Sequence, residues 1–123
     1  MSRKRTILAV DDDEAFLVTL KDILEDAGYI AYVLSEPDKI EAYIDRYAPD
    51  VLIIDIFMPG RTGFNIVEDF RDKGVYDEIP KIFLTCLDDD VEKMTARACG
   101  VGQYVTKPFE PEVLIEKIKK AVK

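Results

Sequence analysis

Asp11, Asp12, Asp55, Thr85 and Lys107 are the residues of this 123-residue chain whose types could do chemistry together. Asp55 ends an apolar, mostly β-branched run, Val51-Leu52-Ile53-Ile54, and opens the loop Ile56-Phe57-Met58-Pro59-Gly60-Arg61-Thr62-Gly63. A carboxylate beside so apolar a run is costly to bury unless an opposite charge meets it; the plainer use for it is to cap the following turn. Asp11 and Asp12 follow a second apolar run, Thr6-Ile7-Leu8-Ala9-Val10, in the same way. Three carboxylates drawn together repel one another strongly, and such a group usually holds a cation. Oxygen ligands with room for water suit Mg2+ or Mn2+ rather than zinc. With the hydroxyl of Thr85 and the ammonium of Lys107, a metal and an exposed carboxylate make up the parts needed to accept a phosphoryl group. Taken singly, Lys107 reads as a solvated surface lysine and Thr85 as an ordinary strand residue, so their common placement has to come from the elements that carry them.

Those elements alternate. Thr6–Val10 reads as a strand, followed by a helix with Phe16, Leu20, Ile23, Leu24 and Ala27 at helical spacing and Gly28 as its stop. Tyr29–Leu34 is a second strand, and Pro37 opens a helix with Ile40, Tyr43, Ile44 and Tyr47 on one face. After the third strand, buried on both faces, come a helix marked by Gly63, Ile66, Val67 and Phe70, a fourth strand Lys81–Thr85, and a helix from Asp88-Asp89-Asp90 carrying Val91, Met94 and Ala98. Gln103–Thr106 is a short fifth strand, and a last helix from about Pro111 turns Leu114, Ile118, Ala121 and Val122 inward. Strand then helix, five times over with short joins, predicts an α/β fold in which a parallel sheet is covered on both faces. Chemistry in such a sheet gathers outside the carboxyl ends of the strands, and four of the five strands deliver a polar group to that rim.

Composition narrows the function. Apolar residues make up 48% and charged residues 34%, a folded rather than disordered profile. No apolar run has the length of a membrane span, and Met-Ser-Arg-Lys-Arg-Thr leads into a strand without a signal-peptide core, so a cytoplasmic setting and no membrane partner are expected. A formal charge of −8 argues against direct nucleic-acid binding and favours basic partners or a divalent cation. The chain has no histidine, which excludes Ser-His-Asp and imidazole catalysis and puts any phosphohistidine on a second protein. Cys86 and Cys99, without a CxxC spacing, read as small buried packers. Asp13 and Asp90 read as helix N-caps, Arg3-Lys4-Arg5 as a solvated lead-in, and Lys117, Lys119 and Lys120 as complements to the last helix's dipole.

The sequence is identified as resembling the receiver domains of bacterial two-component response regulators. The resemblance is carried by Ile7-Leu8-Ala9-Val10-Asp11-Asp12-Asp13, by Asp55, Met58-Pro59 and Gly63 in a D-x-x-M-P-x-x-x-G spacing, by Phe83-Leu84-Thr85, and by Tyr104-Val105-Thr106-Lys107-Pro108-Phe109. It implies one receiver domain over residues 1–123, with a doubly wound, five-stranded flavodoxin-like sheet of (βα)5 form and strand order 2-1-3-4-5. It implies further that Asp55 is the phosphoacceptor, that Asp12, Asp55 and the Phe57 carbonyl ligate Mg2+ or Mn2+, and that Asp11 holds metal-bound water. Lys107 would pair with Asp55 at rest and with the phosphoryl group afterwards, its bond to Pro108 being cis. Thr85 would donate to a phosphoryl oxygen, and Tyr104 would swing inward behind it as a switch. Phe57 and Leu87 would line the path of the hydrolytic water; both are apolar and bulky, so a long-lived phosphorylated state is expected.

A histidine kinase or phosphotransfer protein would be the donor, and a downstream protein or fused output domain the recipient of the signal. The chain would be a monomer or a weak phosphorylation-dependent dimer. Gly102-Gln103 stands where many members carry an acid that builds a charged dimer face, so that face is not expected. Such a domain catalyses only its own phosphorylation and dephosphorylation. Two rivals share the strand pattern. An aspartyl-nucleophile phosphatase wants a second acid two residues after its nucleophile, where this chain has Phe57. A flavin-binding module wants a neutral phosphate loop after the first strand, where this chain has three aspartates.

Overall fold

The structure, a computed structural model, describes residues 4–85, 101 and 103–122. Its strands are β1 (Thr6–Val10), β2 (Ile30–Leu34), β3 (Val51–Asp55), β4 (Lys81–Thr85) and β5 (Gln103–Thr106), all parallel and in the order β2-β1-β3-β4-β5. The helices are α1 (Glu14–Asp26), α2 (Ile40–Tyr47), α3 (Gly63–Lys73) and a C-terminal helix, Pro111–Ala121. The helix expected from Asp88, together with Cys86, Leu87 and Cys99, lies outside the described residues. Among those described, no helix is long and apolar enough to cross a membrane.

The central strands β1 and β3 are buried along their whole length, which is why they read as continuous apolar runs, whereas edge strand β2 is buried only at Ala31 and Leu34. Side chains leave a strand alternately to its two faces, and the core divides accordingly. Leu8, Val10, Leu52, Ile54 and Phe83 meet Ile40, Ile44, Ile66, Val67 and Phe70 of α2 and α3 on one side. Ile7, Ala9, Val51, Ile53, Leu84 and Val105 meet Leu17, Leu20 and Leu24 of α1 and Leu114 and Ile118 of the C-terminal helix on the other.

Two boundaries differ from the sequence reading. β2 starts at Ile30 rather than Tyr29, because the Tyr29 N–H is still bonded to the Leu24 carbonyl of α1 across Gly28, whose φ is +95°. The helix expected at Pro37 opens as a 3-10 turn, Pro37–Lys39, and becomes α-helical at Ile40, where no side chain caps it. By contrast Asp13 caps α1, accepting from the Phe16 N–H at 3.1 Å, and Thr62 caps α3 in a reciprocal box with Asn65.

Candidate functional site

Asp11, Asp55 and Lys107 each stand two residues beyond a side chain of the α1-side core, namely Ala9, Ile53 and Val105. The ladder continues past the strand ends: the Asp11 N–H donates to the Leu34 carbonyl at 3.1 Å, and the Lys107 N–H to the Thr85 carbonyl at 2.6 Å. Alternation therefore sends all three side chains out over the same side of the rim. Thr85, two beyond Phe83, belongs to the opposite face, as does Tyr104, which pairs with Phe83 and packs half-buried on the α2–α3 core.

Carboxylate oxygens of Asp11, Asp12 and Asp55 lie within 4.8 Å of one another. Asp11 is 1% exposed and Asp55 5%, while Asp12 is exposed at the mouth. Both oxygens of Asp11 are engaged: Oδ1 accepts from the Asp13 N–H at 3.0 Å and Oδ2 from Lys107 Nζ at 2.6 Å. Burial pushes the Asp55 carboxyl up to about 7, with the Asp11 charge as the next cause; Lys107 opposes the rise, Asp12 adds to it, and an N–H from Phe57 restrains it. A buried carboxylate group of this kind, open to solvent on the Asp12 side, has the donor chemistry of a hard divalent cation.

Lys107 forms the expected ion pair with Asp55, Nζ standing 3.8 Å from Oδ1, but its hydrogen bond, at 2.6 Å, goes to Asp11. Asp11 is the more deeply buried of the two and would otherwise have a single donor, so it makes the stronger claim on the ammonium. The Lys107–Pro108 peptide bond is cis. Phe57 lies at the rim with its side chain exposed, and Leu87 is outside the described residues.

Three residues contribute in ways that their place in the sequence does not indicate. Gly63, quoted above as a motif residue, has a steric reason: a Cβ on it would come 2.8 Å from the Asp55 carbonyl oxygen and 3.1 Å from the Ile56 Cα. Its own N–H donates to the Ile56 carbonyl, so α3 starts pressed against the end of β3. Arg61 binds both oxygens of Glu41 at 2.9 and 3.1 Å, Asp69 at 3.0 Å and the Pro37 carbonyl at 3.2 Å. It thereby ties the loop after Asp55 to α2 and α3, and holds the Glu41 carboxyl below its usual range. Phe16, read as one position of an apolar helix face, lies with its ring beneath the Lys107 ammonium, 4.3 Å from Nζ to centroid. Helical period distinguishes faces of a helix, and says nothing of which turn reaches the rim.

The family model described as the response regulator receiver domain matches residues 7–119. Solved structures agree over nearly the whole chain. Vibrio cholerae chemotaxis protein CheY4 is 29% identical, with a TM-score of 0.89 over 97% of this chain and 99% of that one. The BeF3-activated N-terminal receiver domain of Klebsiella pneumoniae RstA is 26% identical, with a TM-score of 0.88 over 97% and 99%. A CheY-like response regulator receiver domain protein from Methanospirillum hungatei is 28% identical, with a TM-score of 0.86 over 98% and 94%.

Proposed function

Because this chain belongs to the response regulator receiver domain family, we propose that Asp55 accepts a phosphoryl group from a partner histidine kinase or histidine phosphotransfer protein and that the altered surface signals to a downstream protein or a fused output domain. The observation that carries this reading is the meeting of Asp11, Asp12 and Asp55 within 4.8 Å with the Lys107 ammonium 3.8 Å from Asp55. An Asp55 oxygen attacks phosphorus in line with the bond to the donor nitrogen; that bond breaks, and its electron pair leaves with the partner's imidazole. Asp12, Asp55 and the Phe57 carbonyl would hold Mg2+, with Asp11 behind them, and the ion would supply positive charge that favours the ionised, nucleophilic form of Asp55 and screens the incoming oxygens. Lys107 and the Thr85 hydroxyl donate to the phosphoryl oxygens, and Tyr104 follows Thr85 inward. The domain is a signalling unit that acts on itself rather than on a turned-over substrate.

Because the chain holds this set itself, a small donor suffices to test it. Acetyl phosphate with Mg2+ is expected to add one phosphoryl group to the wild type, and none to Asp55→Ala or to wild type in a chelator, by intact mass. Equal labelling of wild type and Asp55→Ala sinks the reading.

A further inference from the structure

Among the described residues, the ammonium of Lys107 lies against Asp11 Oδ2 at 2.6 Å, Asp55 Oδ1 at 3.8 Å and the ring of Phe16, whose centroid is 4.3 Å away. The ring is held from two directions. Asp13 fixes its backbone by accepting the Phe16 N–H at 3.1 Å, and Phe109, two residues beyond Lys107, meets it edge to face with centroids 6.1 Å apart and planes at 90°. Taking Asp55 as the phosphoacceptor proposed above, we infer that Phe16 is a positioning residue for Lys107, its ring face keeping the ammonium over the acid pocket while that ammonium exchanges its hydrogen bonds.

The need for such a residue follows from the resting contacts. A lysine head is a point charge on a flexible four-carbon stem, and here its closest bond is to Asp11 rather than to the carboxylate it must serve. When phosphoryl oxygens arrive on Asp55, Nζ has to turn toward them and loosen from Asp11. A carboxylate holds an ammonium through directed hydrogen bonds and resists that turn. An aromatic face attracts the cation through its quadrupole, uses none of the three N–H donors, and tolerates rotation about the stem. Phe16 can therefore restrain where the charge sits without restraining which oxygen it binds. A leucine would fill similar space and supply no such attraction.

Phe16→Leu and Phe16→Tyr separate these properties. In the unphosphorylated protein, the Lys107 ε-methylene protons are expected upfield of ordinary lysine positions, because they lie near the face of the ring. Phe16→Leu should return them to the ordinary range and Phe16→Tyr should keep them shifted. With acetyl phosphate and Mg2+, Phe16→Leu should be phosphorylated about three- to tenfold more slowly, the range a cation–π contact of this kind supports, and Phe16→Tyr at close to the wild-type rate. Melting temperatures report the packing loss separately, and Phe16→Met takes the place of the leucine variant if that one unfolds at the working temperature. An unshifted Lys107 in wild type, or a leucine variant phosphorylated at the wild-type rate, overturns the role. A wild type that takes up no phosphoryl group removes the reading of Asp55 and the role with it, while the ring shift still decides whether the contact exists.

Discussion

Asp55 keeps its proton to about pH 7 in the folded protein because burial, and after it the charge of Asp11, penalise the ionised form. In the unfolded chain the same carboxyl releases its proton near 3.8. Between those two values the folded state binds more protons than the unfolded one, so in metal-free buffer stability contributed by this residue falls as pH rises from about 4 to about 7. Asp55→Asn carries no titrating charge and should remove that part of the slope. Melting temperatures of wild type and variant, compared at about pH 4 and about pH 8, should diverge toward high pH with the variant the more stable. Parallel curves would mean that Asp55 is not electrostatically strained. Asp11, Asp55 and Lys107 were legible as a group because each sits at a strand end. The choice of Asp11 by Lys107 was not, since it turns on relative burial, and a strand-end pattern carries no measure of depth.

Elements matter to the site chiefly through the junction of β3 and α3. The end of β3 and the first turn of α3 touch backbone to side-chain position at Gly63, where the nearest obstacles to a Cβ are the Asp55 carbonyl oxygen and the Ile56 Cα, neither of which can rotate away. Gly63→Ala should therefore force α3 off the strand end, costing about 1–3 kcal/mol by overpacking, and should weaken the proposed Mg2+ binding because the Phe57 carbonyl, proposed as a ligand, rides on the displaced loop. Urea unfolding and calorimetric Mg2+ titration measure the two effects. An alanine variant with unchanged stability and Mg2+ affinity would show that the close approach is not needed. The strand and helix around this junction were readable because an apolar run and a helical period follow one another over residues 51–74. The 3-10 opening at Pro37 was not, since proline marks a start without specifying how many residues pass before the regular helix begins at Ile40. Arg61 was likewise hidden: its partners Glu41 and Asp69 come from two different helices, and a spacing argument sees one helix at a time.

For the whole molecule the proposed output is a timed change of surface. Asp11, Asp55 and Lys107 occupy the α1 side of the rim, while Thr85 and Tyr104 belong to the α2–α3 side, so a phosphoryl group bound by both Lys107 and Thr85 would link the two layers across the sheet. How long that link lasts depends on access of water to Asp55. The exposed Phe57 ring stands at the rim and offers no hydrogen bond to orient a water. Replacing it by Phe57→Asn should speed decay of the phosphorylated protein by roughly one to two orders of magnitude, the usual worth of an oriented water; decay no faster than wild type would remove Phe57 from that role. The central claim, that Asp55 takes the phosphoryl group, is tested most directly by locating it. Protein treated with acetyl phosphate and Mg2+, reduced with borohydride and digested, should yield homoserine at position 55 and at no other aspartate; homoserine at position 11 or 12, or none at 55 in protein that has gained a phosphoryl group, would contradict it.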